Sequence, residues 1–162
     1  MSNNKLIEIT LFVCTLLSGF YAGIGFFGKM GANPAIKLMS DHTFAEYWQH
    51  IDHFMAARMK IFGPILLFSL LGGTLILIKE YRTVSFWCMF LSFCISITDV
   101  AFTLSTNHPL NQIIQSWDLK NLPANVQEIK WRVINAFEIR NFFMIGSFAM
   151  VLLAVWFRKQ NN

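Results

Sequence analysis

Apolar residues run almost unbroken through four stretches of this chain, residues 6 to 28, 61 to 79, 84 to 106 and about 142 to 157. A helix of about 20 apolar residues spans a hydrocarbon core about 30 Å thick, so each stretch is predicted to cross a membrane. The fourth is the shortest and is expected to be continued by an amphipathic helix before it. Polar positions inside the stretches are not scattered. Ser85, Cys88, Ser92, Ser96, Asp99, Thr103 and Thr106 recur at spacings of 3 and 4, which gathers them within roughly 80° on one side of a helix. Thr10, Cys14, Ser18, Tyr21, Gly25 and Gly28 repeat the pattern in the first span. Two matching stripes predict that spans one and three face each other, either as close packing of small residues or around a polar cavity.

The connections carry a different period. Residues 43 to 60 put Phe44, Tyr47, Trp48, Ile51, Phe54, Met55 and Met59 on one side and Glu46, Gln49, His50, His53 and Lys60 on the other. This is an amphipathic helix lying on, or entering, the membrane. Asn33 and Pro34 before it are expected to form a turn. A compact turn is likewise expected in the second long loop, which begins at Thr106 and holds Asn107, His108, Pro109, Leu110 and Asn111. A further helix is expected from Pro123, with Val126, Ile129, Val133 and Phe137 as its apolar stripe and Arg140 on the same line. The link from Lys79 to Thr83 is short and makes a hairpin of spans two and three. Pro64, Ser69 and the pair Gly72 and Gly73 allow span two a bend or a tight approach. The predicted fold class is all-α, an integral membrane four-helix up-down bundle. It forms one domain over residues 1–162, with amphipathic helical extensions in loops 1-2 and 3-4.

Composition agrees. Hydrophobic residues make up 55% and charged residues 14%, with a mean hydropathy of +0.48, against roughly 25% charged in a soluble domain. The first stretch follows a single Lys5 but shows no small-residue cleavage site, and Tyr21 to Phe27 continues the run, so it reads as a span and not a secretory signal. Lys5, Lys79, Arg82, Arg158 and Lys159 crowd into three short segments, which places both termini in the cytoplasm of a protein of the cell membrane. The formal charge of +4 favours anionic lipid headgroups over nucleic acid, because the basic residues sit at membrane boundaries and form no basic stripe. Cys14, Cys88 and Cys94 all lie in apolar spans without metal or redox spacing and read as packing residues.

Candidate chemistry centres on Asp99. A carboxylate in hydrocarbon is costly, so it should face inward and meet a partner. Arg140 or Arg58 is expected to supply it, since Arg58 shares the aromatic side of its helix. Glu46, His50 and His53 share one helical face and could form part of a zinc or iron site, but a solvated polar face accounts for them better, and no metal is assigned.

The order of these features resembles the anthrone oxygenase-like family of small bacterial and fungal membrane proteins. The resemblance rests on Asn107, Pro109, Leu110 and Asn111 after span three, then Trp117 and Asp118, then Arg132, Ile139 and Arg140 before span four, with Trp48 to Pro64 similar to the bacterial branch. Phe137 and Val133 depart from it, standing where the family often has Asn or His and Trp. The resemblance implies oxidation of an anthrone to an anthraquinone by molecular oxygen without a cofactor. In that reading Asp99 or His108 is the base, Asn107, Asn111 or Arg140 stabilises the oxyanion, and Trp48 and Trp117 flank a flat aromatic substrate, with Arg58 and Thr103 completing the site. The same residues equally fit a non-catalytic protein binding a lipid, quinone or other apolar ligand, and the stripes alone fit a structural or assembly subunit. Expected partners are membrane lipids, a small apolar or aromatic ligand and, for a homo-oligomer, a second copy of the chain.

Overall fold

The protein was analysed as a computed structural model that describes residues 3–160. Four helical rods account for nearly all of them, and no strand occurs among the described residues. The first rod joins α1 (Asn3–Phe27), a π-helical turn (Gly28–Ala32) and α2 (Asn33–Leu38) end to end. The second is one helix, α3 (Asp41–Ile76), so the amphipathic segment and span two are continuous. The third joins α4 (Val84–Phe102), a second π-helical turn (Thr103–Asn107) and α5 (His108–Gln115), and the fourth is α6 (Val126–Gln160). All four are long and apolar enough to cross a membrane. This is an all-α bundle of the expected class.

The connections are tight and capped. The Ser40 hydroxyl accepts from the Thr43 amide at 3.2 Å to start α3, and Thr83 accepts from the Phe86 amide at 3.3 Å to start α4. Three sequence expectations are corrected here. Asn33 and Pro34 do not turn the chain, since the rod runs on to Leu38 and breaks at Met39 and Ser40. Asn107 to Asn111 are likewise helical, and the true loop begins at Ser116. α6 starts at Val126, after a turn in which the Val126 amide donates to the Pro123 carbonyl at 3.3 Å. Both misplaced turns contain a proline that directly follows the close of a π-helical turn, through Asn33 to Gly28 in one and His108 to Thr103 in the other. A proline ring clashes with the carbonyl four residues back. One wider turn beforehand removes that clash and lets the helix continue.

Neighbouring rods run antiparallel, and α1 packs on α3 and α6 while α4 packs on the same two. The stripes of α1 and α4 therefore do not pack along each other as expected: both turn largely to α6, and they meet each other where Tyr21 reaches Asp99. Ser85 donates to the Ala154 carbonyl at 2.8 Å, Ser92 to the Ser147 carbonyl at 2.9 Å, and Ser96 shares a hydrogen bond with the Ser147 hydroxyl at 2.8 Å. From the other side, Gly25 and Gly28 admit Met144 and Asn141, which would stand 3.1 Å from an added Cβ at each.

Rods of 32 to 36 residues are about 50 Å long, against a hydrocarbon core of about 30 Å. The excess gathers at the end away from the termini. Apolar packing is split accordingly. One cluster, with Cys14, Leu66, Leu70, Met89 and Val151, fills the membrane-spanning part, and a second, with Phe44, Trp48, Ile114, Val133 and Ile134, fills the cap. The cap encloses Lys130, only 2% exposed, whose Nζ donates to the Met39 carbonyl at 2.5 Å and lies 5.7 Å from the Phe44 ring centre. Lys130→Met keeps the bulk but orphans that carbonyl, which costs about 1–3 kcal/mol. Hydrogen exchange should show the Met39–Thr43 link losing protection first, and unchanged protection would show that the ammonium does not hold it.

Candidate functional site

Asp99 is fully buried on α4 and is met from two other rods. Arg140 of α6 donates through Nε to Oδ1 at 3.0 Å and through Nη2 to Oδ2 at 3.4 Å. The Tyr21 hydroxyl of α1 donates to Oδ2 and accepts from Arg140 Nη2 at 3.0 Å. Thr103, one turn on, donates to the Asp99 backbone carbonyl at 2.7 Å. The guanidinium also lies 5.3 Å from the Phe137 ring centre. Each member of the triad satisfies another, which is the condition for keeping charge in a low-dielectric interior. Both carboxylate oxygens are engaged, so the arrangement is a three-rod clamp.

Above the clamp, where the two apolar clusters meet, lies a layer of buried amides. Asn33, Asn107 and Asn141 are at most 4% exposed, and their side chains leave Nδ2 of all three and Oδ1 of Asn107 and Asn141 without a hydrogen-bond partner. Asn141 rests against Gly28. Buried amides of this kind are normally paired with protein, water or ligand. A groove of about 320 Å³ runs between the third rod and α6, lined by Phe102, Thr106, Leu110, Arg132, Asn135, Ala136 and Ile139, and none of the three asparagines lines it. Thr106 lies next to Asn107 in the chain, and Ile139 next to Arg140.

Several residues singled out in the sequence lie elsewhere. Arg58 is exposed, donates to the Phe54 carbonyl at 3.1 Å and does not reach Asp99, so Arg140 alone answers that expectation. His108 is exposed on α5 and does not join Asp99 as a base. Trp48 and Trp117 do not flank an open slot. Trp48 is 5% exposed with Phe137 edge-on at 5.4 Å, and Phe44 packs against both tryptophans at 5.7 and 6.5 Å. Asn111 is fully occupied in the cap, accepting from Trp48 Nε1 at 3.1 Å and donating to Asp52 at 2.5 Å. Glu46, His50 and His53 are exposed, Glu46 stands 3.9 Å from His42, and no three such side chains could share a metal ion among the described residues. On the apolar side of that helix, Phe44 and Trp48 are buried as expected, whereas Ile51 and Phe54 are exposed.

Sequence reasoning missed Tyr21 as the third member of the clamp and missed Asn33 and Asn141. Tyr21 was visible as the only aromatic residue in the first stripe. Asn141 had no comparable signal, because an amide beside an arginine at a span boundary reads as solvated.

The fold and site define a multi-pass membrane protein whose span and cap meet at a polar junction. Comparison with family models, curated proteins and solved structures finds no match to the chain.

Proposed function

We propose that this protein binds an apolar molecule with a hydrogen-bonding head, taken laterally from the membrane into the groove between the third rod and α6. The observation that carries this reading is that groove, whose lining Thr106 is next in the chain to Asn107, one of three buried asparagines with unpaired amides. Phe102, Leu110, Ala136 and Ile139 supply an apolar wall, and Arg132 and Asn135 a polar rim. A volume of about 320 Å³ is at the small end of ligand sites, roughly 300–1,000 Å³, and suits a fused-ring body or a short chain. The protein sits in the cell membrane with its termini in the cytoplasm and the cap on the other side, as its short basic segments favour.

A second reading is oxygenation of the bound molecule, in the manner of the anthrone oxygenase-like family. It is favoured by one coincidence: of the residues that carry the resemblance, Leu110, Arg132 and Ile139 line the groove, and Asn107 and Arg140 adjoin it. In that reaction the anthrone methylene loses two hydrogens and gains one oxygen from O2, and the other oxygen leaves as water. The engaged state of Asp99 and the outward position of His108 support binding more directly than proton abstraction.

Native mass spectrometry of protein extracted in mild detergent tests the binding reading. Wild type is expected to retain one apolar non-phospholipid molecule, which Thr106→Phe, filling the half-buried groove wall, should abolish. Retention of nothing, or equal retention by Thr106→Phe, overturns it. Visible absorbance of an anthrone solution under air then tests the second reading, which requires anthraquinone to form faster with protein than with detergent alone.

A further inference from the structure

A second groove, of about 300 Å³, lies on another face of the bundle, between α1 and α3. Its walls are Phe20, Ile24, Met55, Met59 and Phe62, and the only charged residue lining it is Arg58. Phe20 and Ile24 lie inside span one, and Met59 stands at the edge of span two, so the groove opens along the hydrocarbon toward the interface. Its lining surface is entirely apolar, Arg58 contributing its aliphatic stem. Arg58 folds back over the ring of its own Phe54, 5.4 Å from the ring centre, toward the cap. This is how a long cationic side chain reaches the headgroup level from a helix in the membrane.

The charge of Arg58 is not neutralised by a carboxylate, a state it shares with Arg82 among the arginines, but Arg58 alone of the two lines a groove. Lys37, Arg132, Arg140 and Arg158 each stand within ion-pair distance of a carboxylate, at 2.7 to 3.6 Å. Arg58 has no carboxylate at that distance among the described residues, and meets instead the backbone carbonyl and the ring of Phe54. A guanidinium presents a planar fork of donors that matches phosphate geometry, and most of that fork is open here.

We propose that this groove is a binding site for an anionic phospholipid, with one acyl chain along Phe20, Ile24, Met59 and Phe62 and the phosphate on Arg58. Two methionines suit such an occupant, because unbranched thioethers adapt to a chain without a fixed shape. Anionic headgroups are favoured over zwitterionic ones because the site carries a positive charge and no acidic residue to offset it. The site is separate from the groove beside the asparagine layer, and neither depends on the other.

The test uses full-length protein in nanodiscs of equal parts phosphatidylglycerol and phosphatidylcholine, released and weighed by native mass spectrometry. Wild type is expected to keep phosphatidylglycerol in at least threefold excess over phosphatidylcholine. Arg58→Gln should reduce that ratio to near one without changing the melting temperature, since the side chain is exposed. Ile24→Trp, which fills the groove from the α1 side, should remove the retained lipid, while Lys60→Gln, an exposed cation outside the groove, should leave it. An unchanged ratio in Arg58→Gln, or equal loss in Lys60→Gln, overturns the proposal. Loss in Ile24→Trp with no effect of Arg58→Gln also overturns it, by showing that the groove holds a chain without reading its charge.

Discussion

Arg140→Leu will destabilise the protein by about 3–5 kcal/mol, because it leaves the Asp99 carboxylate in the interior with Tyr21 as its only remaining side-chain partner. The cost arises from the orphaned charge more than from the lost attraction. A double variant, Asp99→Leu with Arg140→Leu, should therefore recover much of the loss, since removing a whole buried pair in favour of apolar bulk is often neutral or better. Asp99→Asn falls between them, keeping shape and one hydrogen bond while leaving Arg140 charged. Thermal unfolding in detergent, followed by tryptophan fluorescence, gives the three values. Equal destabilisation by the single and double leucine variants would show that the two side chains are not coupled. The same series bears on function: if Asp99→Asn lowers stability but leaves ligand retention intact, the clamp serves architecture, whereas an intact melting point with lost turnover identifies a proton-transfer role.

The second large effect concerns a glycine. Gly73 on α3 faces α1 and α4, and a Cβ there would stand 2.8 Å from Cys14 Sγ and 3.2 Å from Met89 Sδ. Cys14 cannot simply withdraw, because its thiol donates to the Ser69 carbonyl at 3.0 Å. Gly73→Val should thus cost about 1–3 kcal/mol by overpacking. Its neighbour supplies the control. An added Cβ at Gly72 meets nothing within 4 Å, so Gly72→Ala should leave the melting temperature nearly unchanged. Adding Cys14→Ala to Gly73→Val should restore part of the loss, and an absence of rescue would move the strain elsewhere.

How much of this was legible in the sequence depends on the length scale of the signal. The spans and the two stripes follow from hydrophobic length and 3-4 spacing, both properties of a single helix. The inward position of Asp99 follows too, since a lone carboxylate among Phe and Ile has few other places to go. The partner on each stripe was not legible. α1 and α4 carry complementary small residues, yet α6, whose Ser147, Asn141 and Ala154 are spread among large apolar side chains, takes both. Asn33-Pro34 and His108-Pro109 misled for a different reason. Proline before an expected boundary normally ends a helix, but here each follows a π-helical turn that absorbs the ring, and the apolar period continues past it in Ile36 and Ile114. That continuing period was the available clue. Arg58 misled because helical angle alone cannot say whether a long side chain turns in or out.

The attachments of α3 are distributed unevenly. Toward the cap, Trp48 and Gln49 reach Asn111, Ile114 and Trp117 of the third rod and the following loop, and Asp52 receives Asn111. Past Pro64, which cannot donate to the Lys60 carbonyl, the one side-chain hydrogen bond to another rod among the described residues is the thiol contact at Ser69. The inner half of α3 is thus a stave held in place largely by greasy contact and riveted only on the far side of its proline. Bilayer thickness, chain order and bound lipid will act on this stave before the other three, and it is where the barrel of helices yields first.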